Sequence, residues 1–173
     1  SAVWAAADVM EPLGPSAAAA DALAAILYTS GSTGRPKGVM LSNANRWLGA
    51  VSVAHYLGVD ERDRVLAVLP LYHINAFAVT MLAPLAHGGS LAMPPKFSAA
   101  RFWQQALHAQ CTWINVVPTM ISYLLEGAAP EGASLGHIRF CRSASAALPP
   151  AHLQAFEQRF AIGVIETMGL TET

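Results

Sequence analysis

Apolar runs of strand length alternate along the chain with longer segments whose apolar residues recur at helical spacing. The run 65–69 is apolar at every position, with no alternation. Such a run is typical of a strand covered on both faces, as in a parallel sheet. The pattern predicts helices between Ser42 and Gly58 and at 76–86, 98–109, 119–125 and 149–160, and strands at 24–28, 39–41, 65–69, 90–93, 112–117, 137–141 and 163–167.

This order of elements predicts an α/β fold, with a mostly parallel sheet and helices on both of its faces. Residues 1–20 are rich in Ala and Pro and indicate an irregular lead-in, and residues 21–173 are interpreted as part of one domain. Three tryptophans fall at apolar positions of predicted helices or strands and are therefore expected in the core: Trp47, Trp103 and Trp113.

The composition narrows the classes of function. With 54% hydrophobic and 12% charged residues, the chain is more apolar than an ordinary soluble domain. Part of its surface is therefore expected to lie against other protein, either the rest of a larger chain or a second copy in a homo-oligomer. The net charge is −1 and no basic stripe occurs, which argues against nucleic acid as a partner. Cys111 and Cys141 lie in apolar runs without CxxC spacing and are expected to be buried free thiols.

The predicted location is cytoplasmic. Residues 65–95 carry no charged side chain, but prolines and glycines break them into pieces shorter than the roughly 20 residues of a membrane-spanning helix. The chain begins at Ser1 with no charged segment ahead of an apolar one, so no secretory leader is visible. It stops at Thr173 directly after a polar cluster, as a cut through a larger protein would.

The segment 28–38 has the composition of a phosphate-binding loop. It reads YTSGSTGRPKG and follows the strand predicted at 24–28, which is expected to be buried. Glycines let successive N–H groups form an anion-binding concavity, and the hydroxyls, Arg35 and Lys37 add donors. The spacing is not that of a Walker A loop, and a strand at 39–41 follows where a P-loop would open a helix. A polar hairpin turn or linker is the alternative.

Two further clusters follow predicted strands. Tyr72 and His73 come just after the run 65–69, and ligands of open α/β sheets bind beyond the carboxyl ends of strands. A histidine satisfied by backbone groups is the alternative. Residues 168–173 place a glycine turn, hydroxyls and one carboxylate after the last strand, where a metal-bound phosphate would be handled. A helix N-terminus capped by Thr171 is the alternative there.

Together, segments 28–38, 69–75 and 168–172 resemble, in the right order, three signature motifs of the AMP-forming acyl-CoA synthetases, which belong to the acyl-adenylating enzymes. The resemblance runs from about residue 21 to residue 173 and implies part of the large N-terminal domain of such an enzyme. Similarity to the branch with oxalate–CoA ligases and related short- or medium-chain enzymes lies in 94–103, 117–119 and 142–148.

The resemblance implies a role for each matching residue. His73 would line the acyl pocket near the reacting carboxylate. Thr171 would bond the α-phosphate of ATP, and Glu172 would bind Mg²⁺. The residues that would hold the β- and γ-phosphates and follow the departing pyrophosphate are Thr29, Ser30, Gly31, Ser32, Thr33, Gly34 and Lys37.

The adenine side of the implied site departs from the family pattern. Ser145, Ala146 and Ala147 would border adenine and the acyl group, but Ser145 and Ala147 replace a glycine and a proline. Met168, followed by Gly169, takes the place of the aromatic residue that usually packs on adenine. The resemblance therefore implies a nucleotide site with altered contacts to the base.

The implied reaction joins a small carboxylic acid to AMP with release of pyrophosphate and then transfers the acyl group to coenzyme A. The carboxylate is already ionised at pH 7, so the first step needs no general base. The implied partners are the acid, ATP, Mg²⁺, coenzyme A and a small C-terminal domain with a catalytic lysine, without which the chain would not complete the reaction. The alternatives are an adenylation domain that loads a carrier protein and a non-catalytic nucleotide-binding or scaffolding fragment.

Overall fold

The computed structural model describes residues 17–30, 34–130 and 135–172. Its strands are β1 (Leu23–Thr29), β2 (Lys37–Ser42), β3 (Arg64–Ala67), β4 (Ser90–Ala92), β5 (Trp113–Val116), β6 (Phe140–Ser143) and β7 (Val164–Glu166). Its helices are α1 (Asn43–Leu57), a π-helix (Asn75–Leu82) that continues as α2 (Ala83–Ala86), α3 (Ala99–His108), α4 (Pro118–Glu126) and α5 (Pro150–Phe160).

A parallel sheet forms the centre of the structure. Its strand order is β4-β3-β5-β6-β7, and every neighbouring pair is parallel. The predicted sheet is therefore confirmed. Parallel strands need crossover connections, and the helices between them supply these. The carboxyl ends of all these strands meet at one edge of the sheet, called the carboxyl edge below, and their starts meet at the opposite amino edge.

The sheet is covered on both faces, as predicted. On one face, Leu66, Ile114 and Cys141 pack with buried residues of α3, α4 and α5. On the other, Val65 and Trp113 pack with buried residues of α1, the π-helix and α2. Successive strand residues alternate between these two cores because side chains of a strand point to opposite faces. Full burial of each large apolar side chain contributes about 1.5–3 kcal/mol.

The strand β6 starts and ends later than the sequence predicts. It runs from Phe140 to Ser143 instead of over 137–141, so its last two residues lie beyond the predicted end of the strand. The reason is Arg142, a cation in the middle of an apolar sheet. Its side chain is only 5% exposed and is accepted there because hydrogen bonds hold its guanidinium.

The helix predicted at 76–86 differs in its winding. The π-helix occupies Asn75–Leu82, and only Ala83–Ala86 is α-helical. Over two turns, the spacing of apolar residues does not separate the two windings, so the sequence pattern indicates a helix without giving its type.

The strands β1 and β2 pair as a separate antiparallel hairpin. The prediction of two short strands around the polar loop is confirmed, but the predicted burial of the first is wrong. Ile26 and Tyr28 are 45% and 70% exposed, because the hairpin contacts mainly itself and α1. Trp47 on α1 is 59% exposed, so its predicted core position is also wrong, whereas Trp103 and Trp113 are buried.

The helix α1 has the start and stop signals that the sequence predicts. The Ser42 hydroxyl accepts from the Asn45 N–H at 3.1 Å, and the Asn45 side chain accepts from the Ser42 N–H at 3.2 Å. This reciprocal arrangement is a capping box. Gly58 ends the helix at φ +61°, in the left-handed region that glycine favours.

Both cysteines are buried free thiols, as predicted. Burial raises the pKa of Cys111 to about 11, and it raises the pKa of Cys141 further. Neither side chain is therefore a thiolate near neutral pH, and neither is suited to act as a nucleophile.

In the part of the chain that the structure describes, no helix combines the length and the apolar character that crossing a membrane requires. The lead-in predicted at 1–20 lies mostly outside the described residues. Residues 17–19 have no regular structure and run into a turn at the start of β1.

Candidate active site

A cleft of about 510 Å³ opens at the carboxyl edge. Its walls come from β2, α1 and the π-helix, and the segments that follow β6 and β7 close the remaining side. Ligands of open α/β sheets bind in this position, beyond the carboxyl ends of the strands. The cleft wall includes five of the predicted site residues, which are Ser145, Met168, Gly169, Thr171 and Glu172.

The segment after β7 presents its polar groups to this cleft. Thr171 and Glu172 lie in a turn, and Glu172 is exposed. The ion pairs found among the described residues, Arg62–Asp60 and Arg139–Asp63, do not involve Glu172. Met168 is 97% exposed. The carboxylate of Glu172 is therefore available to a ligand in the cleft.

A smaller hollow of about 450 Å³ lies between the segments 145–147 and 166–170. The Leu148 N–H donates to Glu166 Oε1 at 2.7 Å, which fixes the first segment to the end of β7. Ser145 has φ +76°, a strained conformation for a residue other than glycine. The structure thus brings together Ser145, Ala146, Ala147, Met168 and Gly169, which the sequence places on opposite sides of α5.

The predicted phosphate loop connects the two strands of the hairpin. Thr29 and Lys37 face each other at the ends of β1 and β2. Gly34 has φ +78°, which requires the freedom of glycine, and its α-carbon faces open space. Ser30 and Lys37 are exposed and are not among the residues that line the cleft, whereas 39–41 are. Gly31, Ser32 and Thr33 lie outside the described residues.

His73 lies beside the cleft without lining it. It is exposed, and its ring lies 4.5 Å from the ring of Tyr72, measured between centroids. The next two residues, Ile74 and Asn75, do line the cleft. The backbone carbonyl of His73 accepts from the Phe77 N–H at 2.9 Å, in the first turn of the π-helix.

Sequence reasoning missed the most buried polar feature of the cleft, which is centred on Arg142. The Arg142 Nε donates to Tyr56 Oη at 3.0 Å. Its Nη1 donates to Asn75 Oδ1 at 2.7 Å and to Asn115 Oδ1 at 3.0 Å. Arg142, Tyr56 and Asn75 all line the cleft.

The two asparagines extend this network. Asn75 Nδ2 donates to Ser145 Oγ at 3.1 Å. Asn115 Nδ2 donates to Asn75 Oδ1 at 3.0 Å and to Thr80 Oγ1 at 2.8 Å. Asn115 and Thr80 are fully buried. An amide and a cation inside otherwise apolar strands were the sequence signals that could have located this network, because buried polar groups need partners.

The amino edge of the sheet has a different electrostatic arrangement. Arg139 Nη1 donates to Asp63 Oδ2 at 2.5 Å, and Thr112 Oγ1 donates to Asp63 Oδ1 at 2.6 Å. The Asp60 N–H donates to Asp63 Oδ2 at 3.0 Å. Burial alone would raise the pKa of Asp63, but these hydrogen bonds outweigh it and lower the pKa below its ordinary value. The two opposite charges balance each other at this edge.

The chain matches one protein family and several of its characterised members. A family model described as AMP-binding enzyme matches residues 2–173. The chain is 55% identical to a sulfoacetate–CoA ligase of Cupriavidus necator, over 96% of this chain and 32% of that protein. It is 34% identical to an oxalate–CoA ligase of Saccharomyces cerevisiae, over 91% of this chain and 29% of that protein.

A solved structure agrees with these sequence matches. The crystal structure of ATP-bound MatB from Rhodopseudomonas palustris superposes with a TM-score of 0.83 at 34% identity, and it covers 99% of this chain and 34% of that one. The chain thus spans about a third of the length of the relatives it matches.

Proposed function

The chain belongs to the AMP-binding enzyme family, and from that membership we propose that the whole protein is an ATP-dependent ligase that joins a carboxylic acid to coenzyme A. One observation carries the proposal: the segments 145–147 and 168–172 meet at the carboxyl edge, beside a cleft large enough for a small substrate. The names of the relatives, which are CoA ligases, and the ATP bound in the related structure support the same activity.

The nucleotide would lie along the carboxyl edge. Adenine would occupy the hollow between 145–147 and Met168–Gly169. One residue that lines this hollow, Thr167, has a buried Oγ1 without a hydrogen-bond partner among the described residues. Buried polar groups without partners are uncommon, so their presence favours a polar ligand here.

The phosphates would be held from two sides. Thr171 would donate to the α-phosphate from the turn after β7. The hairpin loop, with Thr29, Ser30, Gly34 and Lys37 and the loop residues 31–33, would hold the β- and γ-phosphates. The left-handed conformation of Gly34 supports this assignment, because such turns orient successive N–H groups toward one anion.

Glu172 would hold Mg²⁺. Its carboxylate reaches the cleft and is an oxygen ligand of the kind that Mg²⁺ prefers. No group of three or more His, Cys, Asp or Glu side chains that could hold a metal occurs among the described residues. This fits an ion bound by one carboxylate and substrate phosphates. Bound Mg²⁺ would neutralise charge on the phosphates.

The reaction would proceed in two steps. A carboxylate oxygen attacks the α-phosphorus, and the bond to the β-phosphate breaks with its electron pair leaving on pyrophosphate. The thiolate of coenzyme A then attacks the acyl carbon and expels AMP. The main obstacle to the first step is repulsion between the anionic acid and the phosphates. Hydrogen-bond donors in fixed positions, from Lys37, Thr171 and the hairpin backbone to the phosphates, would lower this barrier. His73 would lie near the acyl group, next to residues that line the cleft.

The acids of two relatives share one chemical property. Sulfoacetate and oxalate each carry a second anionic group besides the carboxylate that is activated. We extend the proposal to the acid used by this protein, which we expect to be short and to carry two anionic groups.

The test uses the whole protein with ATP, Mg²⁺ and a panel of short acids, including sulfoacetate, oxalate and propionate. We expect pyrophosphate release that depends on the acid, and acyl-CoA by mass spectrometry when coenzyme A is added. Acyl transfer to a phosphopantetheine carrier protein but not to coenzyme A would instead identify a carrier-loading enzyme. Calorimetric ATP binding without adenylate formation from any acid would refute the proposed activity.

A further inference from the structure

Arg142 is a buried cation whose described partners are all neutral. It is 5% exposed, and its hydrogen bonds to described residues go to the hydroxyl of Tyr56 and the amide oxygens of Asn75 and Asn115. The ion pairs among the described residues do not include it. A buried charge without a counter-charge is costly. The cost indicates that an anion from outside the described residues completes this site.

The guanidinium also has donors to spare. Nε makes one hydrogen bond and Nη1 makes two, which accounts for three of its five N–H groups. The hydrogen bonds of this side chain to described residues do not use Nη2. Arg142 lines the large cleft, so these free N–H groups belong to a side chain that borders space open to a ligand.

The cleft around Arg142 is otherwise mostly apolar or positive. Arg46 also lines it and lies over the Phe77 ring, 5.3 Å from the centroid, with its Nε buried and without a hydrogen-bond partner among the described residues. Glu172 is the acidic side chain among the described lining residues, on the segment after β7. This distribution of charge favours an anionic ligand group on the side of Arg142 and Arg46.

We propose that Arg142, held by Tyr56, Asn75 and Asn115, binds the second anionic group, carboxylate or sulfonate, of the acid substrate. The inference rests on the proposed function. A guanidinium fixed by three neutral acceptors keeps the two N–H groups of Nη2 in a fixed plane, where they can donate charge-assisted hydrogen bonds to an anion. The phosphates are already assigned to Thr171, to the hairpin loop and to Mg²⁺ on Glu172, so the second anionic group of the acid is the ligand that this arrangement leaves for Arg142.

The network gives the subsite a fixed position. Asn75 connects Arg142 to Ser145, since its Oδ1 accepts from Arg142 and its Nδ2 donates to Ser145 Oγ. Ser145 borders both the cleft and the hollow. The anion on Arg142 and the carboxylate beside the nucleotide would therefore be held a set distance apart, and this distance selects short acids.

The decisive experiment compares Arg142→Gln with Arg64→Gln in the whole protein. Arg64 is the control for an arginine away from the cleft, because it is an exposed strand residue at the amino edge whose side chain donates to Ser90 Oγ and the Ala109 carbonyl. Acid-dependent pyrophosphate release is measured with sulfoacetate and malonate, which carry two anionic groups, and with propionate, which carries one. Where propionate is not turned over, its inhibition constant against sulfoacetate replaces the rate.

Loss of one charge-assisted anion contact predicts a decrease of about 10- to 100-fold in kcat/KM of Arg142→Gln for the acids with two anionic groups. Propionate is expected to change less than about threefold, because it makes no such contact. Arg142→Lys keeps the charge but not the planar donors and should recover part of the loss. Arg64→Gln should leave the preference between the acids unchanged.

An equal loss of Arg142→Gln on propionate and on sulfoacetate, with thermal stability retained, would show a general structural role and overturn the inference. So would wild-type activity on propionate alone, which leaves the proposed ligase function intact. Absence of wild-type activity with every acid would overturn the proposed function itself. If the wild type prefers sulfoacetate to malonate and Arg142→Gln loses that preference, sulfonate is the anion that the subsite accepts.

Discussion

The two edges of the parallel sheet differ in whether a buried charged side chain has a partner of opposite charge. At the amino edge, Asp63 and Arg139 pair with each other and with Thr112, so that charge is balanced within the protein. At the carboxyl edge, Arg142 has neutral partners in Tyr56 and the asparagines, so that charge stays unbalanced. Both arginines belong to the same stretch of chain around β6.

The difference indicates that one charged group stabilises the fold and the other is suited to bind a ligand. A balanced pair that bridges the starts of β3, β5 and β6 stabilises the sheet and offers a ligand little. An unbalanced cation costs stability unless a ligand supplies the opposite charge. Substitutions at the two edges should therefore have different consequences, and the following predictions test that contrast in order of decreasing expected effect.

The largest effect is expected from removing the carboxylate of Glu172 at the carboxyl edge. Glu172→Gln keeps the shape but removes a hard anionic ligand, so Mg²⁺-dependent turnover of the whole protein should fall about 100-fold or more. The free energy of unfolding should stay within about 0.5 kcal/mol, because the side chain is exposed. Unchanged pyrophosphate release across a magnesium titration would show that the metal assignment is wrong.

The matching change at the amino edge is Asp63→Asn. It removes a carboxylate that is 3% exposed and accepts from Arg139 and Thr112. We expect a loss of about 2–3 kcal/mol in the free energy of unfolding, since hydrogen bonds to a charged group are lost while Arg139 remains partly solvated. Urea denaturation measures this loss, and kcat of the folded enzyme should be unaffected. A large decrease in kcat without a stability change would break the contrast between the edges.

Lowering the pH should decrease the free energy of unfolding through the titration of Asp63 at the amino edge. The pKa of Asp63 is below its ordinary value of 3.8 in the folded protein, so the unfolded chain binds the proton more tightly. The stabilisation is complete above the ordinary pKa and is lost as the pH falls through the folded pKa. Asp60, whose pKa the hydrogen bonds from Arg62 lower to about 2, adds to the same trend.

Urea midpoints measured between pH 6 and pH 2.5 should therefore fall with pH, in the range where Asp63 titrates. The Asp63→Asn variant should show a shallower decline than the wild type, because one of the titrating groups is gone. Parallel declines in the two proteins would mean that Asp63 does not carry the effect.

The smallest effect is expected from Tyr56→Phe at the carboxyl edge. The change removes one acceptor of the Arg142 Nε, at 3.0 Å, and leaves the two asparagine contacts in place. A single neutral acceptor is worth about 1 kcal/mol, so KM for sulfoacetate should change about fivefold while the KM for ATP stays the same. A shift in both KM values would indicate a wider disturbance of the cleft.

The sequence predicted the sheet well because its evidence is local. Uninterrupted apolar runs such as 65–69 occur in strands buried on both faces, and the structure has such a strand at β3. The boundary of β6 was missed because Arg142 and Ser143 are polar residues in a strand, and only partners distant in sequence make that burial acceptable.

The candidate site was only partly predictable. The motif residues that line the cleft, such as Thr171 and Glu172, stand out by their residue types. Asn75 and Asn115 do not, because their importance comes from a network that joins residues 40 positions apart. The proposed roles of the hairpin loop and of His73 remain predictions, since the described residues of that loop and His73 do not line the cleft.

The π-helix has a consequence for how this cleft can change. Asn75 and Thr80 both accept from Asn115 Nδ2, although they are five positions apart. In an α-helix, five positions correspond to about 500° of rotation, which would place the two side chains roughly 140° apart. The wider π winding brings them to the same side. If the same residues were wound as an ordinary α-helix, the two acceptors would separate, so the selectivity of this cleft depends on the winding of this helix as well as on its side chains.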